Sequence, residues 1–167
     1  TTMSEIAKDC NMSVGNLYRH FDNKSSIMVA CLKQQLQDKL DAGITAAAHH
    51  TGLKALRAFF QSRLKLGHLQ FAETRHLLDL FIAIESSHRD LLLLYEDRVI
   101  VAITEILDKG VQTGVFSCRD TQQTAYDIHQ ATLRYNHPLT LQNNTLDQLT
   151  TDLDRLLDLL YSGLQSR

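Results

Sequence analysis

Two Glu-x-x-His pairs, Glu73–His76 and Glu85–His88, are the side chains of this sequence whose types and spacing come nearest to a catalytic set. Residues three apart share a helix face, and carboxylate-bridged di-iron bundles hold their metals with this spacing. That chemistry also needs a glutamate from each of two further helices. Apart from Glu5, the remaining glutamates are Glu96 and Glu105, both on one expected helix, and Ser86-Ser87 cuts the second pair at a helix boundary. A helical metal-binding or di-iron bundle is the lesser alternative. His68, His129 and His137 stand at unrelated spacings, as hydrogen-bonded core or surface histidines do, and His49-His50 falls in a loop. There is no glycine-rich phosphate loop, nucleophile elbow or recognisable Cys–His pairing. The expectation is a non-enzyme with no catalytic residue, metal or cofactor.

Composition narrows the class further. Hydrophobic residues make up 44% of the 167 positions, enough for a sizeable core, and one proline and seven glycines argue against a β-rich fold. The net charge of −2 excludes a polycation that coats nucleic acid or lipid, so any DNA contact must be local. The longest apolar run, Leu91 to Tyr95, is far too short to span a bilayer, and no basic-then-apolar leader opens the chain. Cys10, Cys31 and Cys118 are odd in number and widely spaced, and suggest small buried hydrophobes in a reducing cytoplasm.

Helical signals then run the length of the chain. Thr2 and Glu5 form a capping box ahead of Ile6, Ala7 and Cys10. Asn11 turns the chain, Ser13 caps a second short helix from Val14 to about His20, and its Leu17 and Phe21 face Ile6 and Ala7. Two short helices on one apolar seam make a helix-turn-helix. Asp22-Asn23 caps a long helix that Gly43 and the Ala46–Thr51 stretch end. Further helices are expected from Thr51 to about Gln70, Thr74 to Glu85, Ser87 to Gly114, Asp120 to about Asn136, and from Asn144 onward. The fold class is all-α: a helix-turn-helix head with its linking helix over 1–45, then a helical-bundle body over 46–167. In the last helix Leu146, Leu149, Leu153, Leu156, Leu160 and Leu164 form a stripe that Leu157 and Tyr161 widen. So wide a stripe needs cover on two sides, as in an intersubunit bundle.

The stretch Thr2-Met3-Ser4-Glu5-Ile6-Ala7-Lys8, followed by Met12-Ser13-Val14-Gly15-Asn16-Leu17-Tyr18-Arg19-His20-Phe21-Asp22-Asn23-Lys24, resembles the DNA-binding signature of the TetR family of repressors. Gly114-Val115-Phe116, Asp120 and Ala131 to Pro138 are similar to the C-terminal regulatory domains of one branch of that family. Asn11 stands where a glycine is usual, and the family's first helix has no counterpart, so the head is expected to be N-terminally incomplete. The resemblance implies a cytoplasmic, ligand-released repressor that binds a palindromic double-stranded DNA operator as a homodimer, with a small-molecule effector inside the body. A dimeric scaffold without an effector pocket is a further alternative.

The residues fit that role. A recognition helix reaches base edges with its N-terminal residues while its flanks hold phosphates. Gly15 lets the backbone approach DNA, Asn16 can donate and accept at a base edge, and Val14 can meet a thymine methyl. Ser13, Tyr18, His20 and Lys24 suit phosphate, and Arg19 suits a base or a phosphate. Phe60, Leu64, His68, Phe71, Leu78, Phe81, Tyr95, His129 and Tyr135 are the expected lining of the effector pocket. Ala125, Ile128, Ala131, Thr132, Leu149, Leu153, Leu156 and Leu160 are the expected dimer contacts. Tyr18→Ala combined with Lys24→Ala is expected to weaken binding to every duplex. Asn16→Ala is expected to relax sequence preference by about 1–3 kcal/mol at one base pair. Fluorescence anisotropy with operator and scrambled duplexes measures both, and undiminished operator binding by the double variant rejects the assignment.

Overall fold

In the computed structural model, residues 3–9, 13, 24–73, 82, 86 and 88–164 are described. Every described element is a helix: α1 (Met3–Asp9), α2 (Lys24–Ala47), α3 (Gly52–Glu73), α4 (Arg89–Gln112), α5 (Thr121–Thr132), α6 (Pro138–Asn143) and α7 (Leu146–Leu164), with a 3-10 turn at Leu133–Asn136.

α3 is the hub of the body. It packs along α2, meets α4 and α6, and receives α7 on its far side. Its buried stripe of Ala55, Leu56, Phe59, Phe60 and Leu64 recurs at helical spacing and belongs to the main core cluster. α4 answers with Val99, Ala102, Ile103 and Leu107, and α7 with Leu149, Leu153 and Leu157. At the surface, Arg57 of α3 clamps Asp154 and Asp158 of α7 at 3.2 and 2.6 Å, and Gln61 reaches Asp154 at 2.8 Å. Such exposed pairs contribute at most about 1 kcal/mol each, so they fix the register of α7 more than its stability.

Several helix ends differ from expectation for local reasons. α2 runs through Gly43 and ends at Ala47, inside the Ala46–Thr51 stretch expected to close it. Gly43 sits inside the helix because a Cβ there would lie 2.9 Å from the side chains of Arg63 and Phe59. The helix opening at Asp120 does begin as expected, with its carboxylate accepting from the Gln123 amide. His137 leaves helical geometry before Pro138, as a residue preceding proline must, but Pro138 then starts α6, which the sequence reading missed. α7 is capped by Thr145 and not Asn144: Thr145 Oγ1 accepts from the Gln148 amide and Gln148 Oε1 accepts from the Thr145 amide. Cys31 is disulfide-bonded, which corrects its reading as a reduced hydrophobe; its partner lies outside the described residues.

The end of α4 folds back on itself. Gly114 takes φ +71, and the amides of Val115 and Phe116 both donate to the Gly110 carbonyl. This lays the Phe116 ring directly on Gly110, where an added Cβ would come within 2.0 Å of the ring. Gly110→Ala is therefore expected to destabilise the body by about 1–3 kcal/mol despite the better helix propensity of alanine. Urea unfolding with far-UV circular dichroism checks this, and an unchanged midpoint would show that Phe116 docks elsewhere.

Candidate functional site

A cavity of about 410 Å³ opens between α2, α3, α4, α5 and the segment from Leu133 to Leu141. Its apolar wall comes from Leu32 and Leu36 of α2, Leu92 of α4, Leu133, Pro138 and Leu141. Its polar wall is formed by Lys39, Arg63, Tyr95 and His129, with Gln35, Gln70, Glu96 and Arg134 nearby. The volume is within the range that holds a drug-sized ligand.

Arg63 dominates the electrostatics. Its side chain is 1% exposed, midway along the buried stripe of α3, between Phe60 and Leu64. The guanidinium carbon lies 5.1 Å from the Phe59 ring centroid and 6.0 Å from those of Phe60 and Tyr95. Nη2 donates to the Tyr95 hydroxyl at 3.1 Å, whereas Nε and Nη1 have no partner. Taking a cation out of water costs several kcal/mol even after relaxation, and ring contacts worth about 0.5–2 kcal/mol each offset only part of that. Two glycines make the room: Gly43 faces the Arg63 stem, and a Cβ at Gly67 would come within 3.3 Å of Lys39 Cδ.

The neighbours titrate accordingly. Lys39 is 8% exposed, and burial lowers its pKa from the ordinary lysine value, with the Arg63 charge acting in the same direction. Burial alone would raise Tyr95, but the Arg63 and Lys39 cations and the Arg63 hydrogen bond outweigh it and bring the phenol below its usual range. Burial and then Arg63 push His129 down from 6.5 to about 4, so its imidazole is neutral at physiological pH, and its Nε2 has no partner. Burial and the adjacent Asp97 raise Glu96 above the usual carboxylate range.

Of the expected pocket residues, Tyr95 and His129 line this cavity. Phe60, Leu64 and Tyr135 are instead buried in the core, because each falls on a face turned to neighbouring helices. His68 and Phe71 are half-buried beside the lining, and Leu78 and Phe81 lie outside the described residues. The sequence reading passed over Lys39 and Arg63; the signal was a cation on the apolar stripe of a helix. Among the described residues no three His, Cys, Asp or Glu side chains gather where a metal would be held. Glu73, Glu85 and His76 lie wholly or with their side chains outside the described residues, and His88 precedes α4.

Of the residues expected to contact DNA, Ser13 is exposed and Lys24 opens α2, with its side chain outside the described set. Val14, Gly15, Asn16, Tyr18, Arg19 and His20 lie outside it altogether. The expected dimer contacts differ in burial. Ala125, Ile128, Thr132, Leu149 and Leu153 are at most 2% exposed within the single chain, because the core of that chain already covers them. Ala131 is exposed, Leu156 and Leu160 are half-buried, and the exposed apolar groups on these two helices are Tyr126 and Leu159, the latter at 69%.

Comparison with known proteins places two matches on the chain. Residues 53–157 match the model described as the tetracyclin repressor-like C-terminal domain, and residues 1–31 match that of bacterial regulatory proteins of the tetR family. No match to a curated protein was found. Among solved structures, the chain is similar to the TetR family transcriptional regulator PfmR from Thermus thermophilus. That pair shares 20% identity with a TM-score of 0.69, covering 99% of this chain and 90% of that one. A bacterial regulatory protein in the tetR family from Rhodococcus aligns at 20% identity and TM-score 0.64, over 100% and 87% of the two chains. The ketosteroid transcriptional regulator KstR2 of Mycobacterium tuberculosis aligns at 16% and 0.59, over 100% and 86%. At these identities the likeness is one of fold.

The neutral state of His129 has a consequence for stability. Between pH 6.5 and about 4 the unfolded chain takes up a proton that the folded chain refuses. Stability conferred by His129 is therefore complete above 6.5 and lost as the pH falls toward about 4, a change of roughly 3 kcal/mol. His129→Gln is expected to flatten this part of the stability profile relative to wild type. Denaturation midpoints measured from pH 7 to pH 4 test it, and parallel profiles for the two proteins would reject it.

Proposed function

Since the chain belongs to the TetR family of bacterial regulatory proteins, it is a DNA-binding transcriptional regulator, and we propose that it is a repressor released by a small ligand bound in the 410 Å³ cavity. One observation carries the reading: α2 forms a wall of that cavity through Leu32, Gln35, Leu36 and Lys39, and the same helix begins at Lys24, where the motif-bearing segment ends. A ligand in the cavity touches the element that joins the head, residues 1–45, to the body, residues 46–167. The cavity weighs against a scaffold without a pocket. No helix among the described residues is long and apolar enough to cross a membrane, and a protein that acts on DNA works where the DNA is, in the cytoplasm.

The protein acts as a homodimer on a palindromic operator. Two heads must stand about one DNA turn apart, ~34–36 Å, so a displacement of a few ångströms by tilt of α2 spoils binding. With its inward leucines already covered, the pairing surface of α5 and α7 is formed by Tyr126, Ala131, Leu156 and Leu159. The chemistry is binding alone; no catalytic role is assigned to any residue.

Two measurements check this reading. Compounds that raise the melting temperature of wild type but not of Gly67→Phe, whose ring fills the cavity, should lower operator affinity five- to a hundredfold. That range corresponds to a coupling of about 1–3 kcal/mol, and operator should weaken their binding by the same factor. Equal compound affinity with and without operator would refute ligand release. For assembly, Leu159→Glu with Tyr126→Glu is expected to shift a micromolar dimer to monomer by sedimentation, and a wild-type monomer would refute the pairing.

A further inference from the structure

The cavity holds more positive charge than the fold can use. Arg63 is 1% exposed, its Nε and Nη1 lack partners, and its one hydrogen bond, at 3.1 Å, goes to the Tyr95 hydroxyl. Lys39 is 8% exposed, and its ammonium stands over the Tyr95 ring at 6.0 Å. The ion pairs among the described residues are elsewhere, on Arg57 and Arg155. Glu96, the one described carboxylate of the lining, is half-buried and has Asp97 and Arg89 as its charged neighbours. His129 is neutral, and its partnerless Nε2 also lies in the lining.

Buried cations are ordinarily matched by a carboxylate, because an unmatched one forfeits its hydration without return. Here two stand together, with glycines at 43 and 67 opposite their stems, beside an apolar wall of Leu32, Leu36, Leu92 and Leu141. We propose that the effector is an amphipathic organic anion whose carboxylate, or other oxyanion head, pairs with Arg63 and Lys39 while its apolar body lies against these leucines. His129 supplies a neutral hydrogen-bonding group beside the head. The proposal rests on the cavity being the effector site.

The test uses two dyes on one skeleton, the anion 1-anilinonaphthalene-8-sulfonate and the neutral N-phenyl-1-naphthylamine, titrated by fluorescence into the full chain. Arg63→Met is expected to weaken the sulfonate roughly tenfold or more and leave the neutral dye within about twofold, while Arg63→Lys retains part of the preference. Lys39→Met should act in the same direction. Because it removes an unmatched buried charge, Arg63→Met should also melt at a higher temperature than wild type without ligand; a fall in melting temperature together with unaltered sulfonate binding would make Arg63 a structural residue and overturn the proposal. Gly67→Phe should exclude both dyes. If Gly67→Phe excludes both while Arg63→Met and Lys39→Met leave the ratio of the two affinities unchanged, the cavity stands and the anion is refuted. If Gly67→Phe spares both, the cavity is not the ligand site and both readings fall. Inorganic phosphate at equal concentration should leave the sulfonate bound, and displacement would refute the apolar half of the proposal.

Discussion

An unmatched guanidinium in the centre of the body is the constraint around which the rest is arranged. Arg63 occupies a position on α3 where a leucine would be expected, and its surroundings are shaped for it. Gly43 withdraws its side chain so that α2 can pass over the arginine stem, and Phe59, Phe60 and Tyr95 turn their rings toward the charge. A closer-packed core would have put an aliphatic residue here and a Cβ at 43, and would have been more stable. Departures of this kind, where local rules of burial are broken without an evident structural return, concentrate at functional sites.

The consequence for the architecture is that the cavity and the long helix cannot move independently. Arg63 binds α3 to α4 through Tyr95, Gln70 of α3 donates to the Gln35 carbonyl of α2 at 3.2 Å, and Arg98 of α4 donates to Gln37 of α2. Lys39, one turn from Gln35, brings α2 into the same electrostatic set as Arg63 and Tyr95. Gln35, Lys39, Arg63, Gln70 and Tyr95 line one void, so whatever fills it acts on the relative placement of three helices at once. Packed interfaces respond to such a load by shifting between discrete arrangements, since dense interiors do not deform continuously.

The all-α class, the capped start of α5 at Asp120, the reversal at Gly114 and the proline boundary at His137 were legible from residue types, because each depends on local chemistry. The motif over Ser13 to Lys24 led to the family through its spacing, and the match over residues 1–31 agrees with it. Tertiary effects were harder to see. Nothing in the sequence around Gly43 shows that Arg63 lies behind it, and the leucine stripe of α7 does not say which of its sides the chain covers for itself. Leu149 and Leu153 turned out to face the chain's own core, leaving Leu159 outside. Aromatic residues drew the pocket reading toward Phe60 and Tyr135, because ring size signals burial without signalling a void. The residues that mark this cavity are polar: Lys39 next to Leu40, and Arg63 four residues before Gly67, are cations placed where periodicity demands apolar side chains.

A charged cavity is also better suited to switching than a greasy one. A ligand shifts a conformational equilibrium only by its difference in affinity for the two states, and apolar contact, being non-directional, changes little when a wall moves by an ångström or two. A hydrogen-bonded ion pair is sensitive to distance and angle on that scale. Lys39 sits on α2 and Arg63 on α3, the hub of the body, so the proposed anion, held by both, would measure the separation between these two helices. It binds best in the arrangement that brings the two cations to one head group, and the mutual repulsion of those cations opposes that arrangement while the site is empty. Neutralising them removes the opposition and supplies the attraction at one stroke. For the proposed effector, the instability stored in two buried charges would become the differential affinity by which it moves α2.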